Sequence, residues 1–311
     1  MGAIELSKMD NISPQTFDYR KIKRPLENLI STMENMIERQ WPKKYQHLGG
    51  ARTIFFMWMK ITKITFNTII YVSRDKLETD LSKLELCLSI PALTRIIYDT
   101  LFNVIYMAED IENRSISFWK SGYKDVIESE KTDEKYFKDI SKETEKFDIL
   151  HINKTEILKM HKKLANISEE EDRNLKNIRS WPLNKNIIEK IRSPNAKSFL
   201  TFLYECYQRR LGAHAHLSWV GLAERAFFFS EEIDHEKLRT ILKIYKSNWL
   251  FLSLSFLVAL MSELNNILDF GHEQDLQNLW FIIKDCFPEA NKLYDLRYSK
   301  LLTINRQGHK V

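Results

Sequence analysis

Only eight glycines and seven prolines interrupt 311 residues. An all-β chain of this length needs many turns, and turns draw on those two residues for special backbone angles. The scarcity therefore selects long helices with few connections. Leu26, Leu29, Ile30, Met33, Met36 and Ile37 recur at helical spacing between Ser13-Pro14 and Trp41-Pro42. From Ala51 to about Arg74 the chain is apolar nearly all round, the pattern of a central helix. A third helix is expected over about 80–110, kinked or divided by Pro91 near Ser89. Others follow at about 195–211, 214–230, 234–268 and 274–286, with Gly271 stopping the longest. The tail beyond Arg297 reads as frayed. Together these give one all-α domain over 1–311, an elaborated four-helix bundle with core helices in about 14–110 and 195–288.

Residues 111–194 read differently. Runs such as Glu128–Lys135 and Glu169–Arg173 are densely charged. Short amphipathic helices and mobile loops are expected here, as a solvated insertion or a lid across the bundle. The net charge of +5 permits nucleic acid or anionic lipid as a partner without requiring either. Cys87, Cys206 and Cys286 are odd in number, far apart and in apolar surroundings, which predicts reduced core thiols of a cytoplasmic protein. No apolar signal region precedes Asn11. The run Trp249–Met261 contains two serines and falls short of the ~18–20 residues that span a bilayer. It is expected to be a buried core helix, and membrane contact is not expected.

The chemistry concentrates in Tyr207–Trp219, which holds Arg209, Arg210, His214 and His216 in eight positions. Arginine is a permanent cation suited to phosphate, and histidine changes charge near neutral pH. On an ideal helix Glu205, Arg209, Gly212 and His216 share one face, while Arg210 and His214 lie nearly opposite. Both sets meet one site only if the helix breaks at Gly212. The plainer reading makes Glu205–Arg209 a surface pair four residues apart and either histidine a hydrogen-bonded core residue.

A second constellation lies on the third helix. Arg95, Asp99, Asn103 and Tyr106 form a polar line on an otherwise apolar surface. Buried polar groups must find partners. Arg95 and Asp99 suit each other, or face His216 or Glu205 across the bundle. The line is either a ligand pocket inside the bundle or an ion pair that fixes helix register.

The spacings Arg209-x4-His214, Arg210-x5-His216 and Arg209-x6-His216 resemble the Arg-x4-6-His motif of the HEPN superfamily (higher eukaryotes and prokaryotes nucleotide-binding). The resemblance implies an all-α bundle, and for its ribonuclease members metal-independent cleavage of RNA. A histidine, His216 or His214, then moves the proton during attack by the 2′-hydroxyl, and Arg209 or Arg210 steadies the phosphate. It also implies paired protomers, hence a homodimer, and a role in bacterial defence or growth arrest. Arg210 stands where the family often has a polar Asn or Asp. Separately, Ile90–Arg95 with Asp99, and Ala215-His216-Leu217-Ser218 with Gly221, resemble uncharacterised bacterial all-α proteins with an Arg-x3-acidic helix and a late Ala-His-Leu-Ser helix. That likeness implies a shared site and favours His216.

The remaining histidines show no metal-ligand spacing, and no phosphate-binding glycine loop occurs. No metal or cofactor is expected. The leading expectation is an RNA-cleaving or RNA-binding protein with His216, His214, Arg209 and Arg210 acting and Arg95, Asp99, Asn103 and Glu205 binding. The rival is a non-catalytic helical module that binds a nucleotide or a protein partner.

Overall fold

The computed structural model describes residues 20–74, 83, 85–141, 148–215, 228 and 234–304. These residues are helical almost throughout, and no strand occurs among them. Helix α1 spans Arg20–Arg39 and α2 spans Gly49–Val72. A 3-10 turn, Glu85–Ser89, leads into α3, Ile90–Ala108, with Pro91 in its first turn. The expected division at Pro91 is therefore a helix start, where the missing N–H of proline costs nothing. Helix α3 is the centre of the bundle, packing on α2 and on α10, His235–Leu268. Tyr98 of α3 stands 4.9 Å from Phe102 on its own helix and 5.5 Å from Phe256 of α10, ring centroid to ring centroid.

Helix α10 starts on an Asp234 cap whose carboxylate accepts the N–H groups of Glu236 and Lys237. Every residue from Trp249 to Asn265 is buried. The helix ends at Leu268, where Asp269 takes the left-handed conformation (φ 55°), two residues before Gly271 (φ 75°). Among the described residues two helical stretches, Glu85–Ala108 and His235–Leu268, are long and apolar enough to cross a membrane, but 61% and 94% of their apolar windows are buried inside the protein. They are core helices of the bundle.

The charged region departs from expectation. Instead of short helices, α4 runs unbroken over Ile111–Ser141 and α5 over Asp148–Ala165, followed by the short α6, Glu169–Arg173. Glu and Lys favour helix strongly, so the run at 128–135 extends the helix and does not loop out. Ile111, Trp119 and Tyr123 give α4 a buried stripe, and the Trp119 indole N–H donates to the Gly50 carbonyl at 3.1 Å. An extended strap then leads to α7, Asn184–Lys190.

Helix α8, Pro194–Leu203, opens on a Ser193 cap. It passes through a π-turn, Tyr204–Gln208, into α9, Arg209–Ala215, which packs on α3. The C-terminal part repeats this pattern. Helix α11 (Glu273–Cys286) is followed by α12 (Pro288–Leu293), a second π-turn (Tyr294–Tyr298) and α13 (Ser299–Ile304). The chain beyond Arg297 is thus helical as far as Ile304, where fraying was expected. The reason is a buried carboxylate. Glu263 on α10 is 1% exposed and receives both Arg297, whose Nη2 lies 2.8 Å away, and the Tyr298 hydroxyl at 2.9 Å. Burial opposes the charge on Arg297, but the Glu263 carboxylate outweighs it and holds the guanidinium firmly protonated. The cysteines also divide. Cys87 is buried and pushed up to about 12 by burial, while Cys206 is exposed at the first π-turn.

Candidate functional site

The polar line on α3 is real and mostly internally partnered. Arg95 Nε bonds Asp99 Oδ2 at 2.7 Å, and Arg95 Nη1 donates to the Gln208 carbonyl at 3.3 Å. The guanidinium also lies 5.2 Å from the centre of the Tyr98 ring, and the Tyr98 hydroxyl donates to the Leu203 carbonyl at 3.2 Å. Both carbonyls flank the π-turn. A π-turn interrupts the regular i to i+4 ladder, so carbonyls at its edges take donors from outside the helix. Arg95 and Tyr98 supply them.

The second Asp99 oxygen accepts from Asn184 Nδ2 at 2.7 Å, and the same amide lies 3.2 Å from Gln208 Oε1. Further along the line, Asn103 Oδ1 accepts the Trp181 indole N–H at 2.8 Å. The Trp181 backbone N–H donates to Ser121 Oγ at 2.8 Å, and its ring sits edge-on to Tyr106 and Phe118. The line therefore faces the strap and the π-turn. Glu205, the partner considered across the bundle, is exposed and outside this network. One edge stays open to solvent, since the Asp99 side chain is 38% exposed and that of Arg95 16%.

The Arg/His segment separates into an outer and an inner part. Helix α9 continues through Gly212 without a break, and the interruption lies upstream at the π-turn. Arg209 and Arg210 are exposed, whereas His214 is 2% exposed. The His214 ring stands edge-on to Trp249 at 5.2 Å, and the Arg210 guanidinium lies 4.7 Å over that same indole. Glu205 and Arg209 form no ion pair among the described residues. His216, with Ser218 and Gly221, lies outside the described residues.

A feature missed in the sequence borders this site. Helix α7 begins beside Gln208 and ends at the turn into α8, so the two run side by side in opposite directions. Their outer surfaces carry Lys185, Lys190, Arg192 and Lys197, and Arg209 and Arg210 extend the series at α9; all six are exposed. Only Glu189 and Glu205 interrupt them with opposite charge on these elements, and none of the six joins an ion pair among the described residues. The signal was the lysines and arginines at 185–210, which read as isolated until α7 folded back along α8. Glu109 pins this turn by accepting the N–H groups of Arg192 and Ser193 at 2.8 to 3.1 Å. Burial alone would raise its carboxyl, but these bonds and Arg114 hold it below the usual range.

Two recesses of about 390 and 330 Å³ flank α11, one against Trp280, Phe281 and Tyr294 and the other against Leu29, His272 and Ile282. Neither includes a residue of the Arg95 line, so shape and chemistry do not coincide, and the hydrogen-bond geometry is the better guide to a polar site. Among the described residues no cluster of three or more His, Cys, Asp or Glu is placed to hold a metal ion.

No curated protein and no solved structure matches the chain. A family model, described as a family of unknown function (DUF5677), matches residues 79–236. That stretch takes in half of the chain, including the Arg95 line, the strap, the cationic face and the Arg/His segment. By that match the chain belongs to the DUF5677 family.

Proposed function

We propose that this protein binds RNA along the cationic face of α7, α8 and α9, with Arg209 as the phosphate clamp nearest the Arg95–Asp99 pair. The observation that carries the reading is the set of six exposed cations on adjacent elements, none of them in an ion pair among the described residues, with Arg210 resting over Trp249. Such a surface attracts a polyphosphate through counterion release, and arginine adds bidentate contact to a phosphate. The HEPN-like Arg-x6-His spacing supports cleavage as well as binding. Because His214 is 2% exposed, the proton-moving role is assigned to His216. The Arg95–Asp99–Gln208 contacts then fix the backbone from which Arg209 projects.

The burial of His214 also favours a second reading, a non-catalytic module using the same face. Incubation of the purified protein with a mixed RNA pool in EDTA separates the two. Wild type is compared with Arg209→Ala, His214→Ala and His216→Ala, with folding followed by circular dichroism. Cleavage lost in folded Arg209→Ala and His216→Ala supports the enzyme. Salt-sensitive binding without cleavage, weakened in Arg209→Ala, supports the module. Absence of any RNA binding at low salt overturns both.

A further inference from the structure

Helix α5 is attached to the protein mainly through α4, with a smaller contact at the first turn of α2. At the centre of the α4–α5 contact His161 lies over Gly122. A Cβ built at 122 would stand 2.6 Å from the imidazole Cε1 and 2.9 Å from Nδ1. The ring meets the Trp119 indole edge-on, centroids 4.8 Å apart at 86°. Its Nδ1 is buried and makes no hydrogen bond. Burial lowers the affinity of the ring for a proton, and the Trp119 backbone opposes this in part.

The charged neighbours are already paired. From α4, Lys120 pairs with Glu171 of α6, and the Tyr123 hydroxyl donates to Asp172. From α5 itself, Lys162 takes Asp172 at 2.6 Å, and Glu156 pairs with Lys159. From helix α2, Gly50 lies against Trp119 and the Leu164 carbonyl. Lys120 and Lys162 hold the carboxyls of Glu171 and Asp172 below the usual range. Those carboxylates keep their charge in mild acid, and each is already engaged by a lysine.

We propose that α5 is an acid-releasable arm, seated on α4 through a glycine-floored aromatic notch that accepts only the neutral His161 ring. Protonation in the notch places a cation where Nδ1 is buried without a hydrogen-bond partner, and the carboxylates of Glu171 and Asp172 are already taken by lysines. Release lets the ring take its proton in water. The folded ring binds protons less well than the free one, so the seat is stable above the ordinary value of histidine. It weakens as pH falls through that value.

Hydrogen exchange of the intact protein tests this at about pH 7.5 and about pH 5, corrected for intrinsic rates, with α10 as the internal reference. Protection over 156–165 should fall at least about fivefold relative to α10, equivalent to about 1 kcal/mol, while His161→Phe loses that response. Gly122→Ala should open the same segment at neutral pH. Equal pH responses in wild type and His161→Phe overturn the proposal. So does unchanged protection in wild type. Should His161→Phe not fold, NMR titration of the wild-type ring decides: a midpoint at or above the ordinary histidine value overturns it, and a lower midpoint supports it.

Discussion

The two π-turns, Tyr204–Gln208 and Tyr294–Tyr298, begin alike and end differently. Each starts on a tyrosine, follows a helix that opens on proline, and continues into a short helix. The second is locked from within. Arg297 and Tyr298 converge on the buried Glu263, and Asn195 accepts from Arg297 Nη1 at 2.9 Å. The first is held from outside, by Arg95 and Tyr98 on its flanking carbonyls, while Glu205, Cys206 and Arg209 face solvent. The same backbone irregularity thus serves as a structural lock in one place and leaves side chains open to a ligand in the other.

The sharpest way to break the comparison is to remove the lock. Arg297→Ala leaves Glu263 buried without its cation and should cost about 3–5 kcal/mol in urea denaturation. Arg297→Met with Glu263→Leu should recover much of that loss, because it removes both charges together. Arg95→Ala tests the open turn. It deletes a half-exposed ion pair and one bond to the Gln208 carbonyl, so stability should drop by only about 1 kcal/mol. A loss as large as that at Arg297 would make the first turn a lock as well.

A pH dependence sharpens the contrast. Glu109 anchors the turn into α8 with its carboxyl held below its ordinary value of 4.5. Its contribution is fully present above that value and lost as pH falls through the lower folded one. Glu109→Gln should flatten the acid limb of the stability profile. Acid denaturation identical to wild type would show that the anchor carries no energy. The smallest effect concerns thiols. Cys206 should react with iodoacetamide in the native protein, and Cys87 only on unfolding, since it is buried with its thiol pushed up to about 12. Arg95→Ala should quicken labelling at Cys206 and leave Cys87 unchanged, as read by mass spectrometry.

The helices were legible because apolar spacing and rare glycine and proline act locally. So was the Arg95–Asp99 pair, four residues apart on one face. Less legible was the length of α4, whose Glu and Lys residues signal solvent exposure and helix propensity at once. Whether the helix breaks at Gly212 was left open by the sequence, and the structure shows it unbroken there. A π-turn arises from how neighbouring segments pack, and no residue in Tyr204–Gln208 announces it. Glu263 carried a readable signal, a lone carboxylate in an apolar helix that demands a cation, but its partner lies 34 residues away. The cationic face needed the fold, since separated residues join it only when α7 lies back along α8.

The central position of α10 bears on how the chain is made. Helix α3 has its principal neighbour about 150 positions later, so it cannot bury that face until most of the protein has been synthesised. A nascent chain that has reached α9 carries the apolar surface of α3 with its main partner still unmade. Closing such a long loop is slow, and exposed apolar surface invites association in the meantime. Translation that pauses before residue 268 therefore leaves the apolar face of α3 uncovered until α10 emerges.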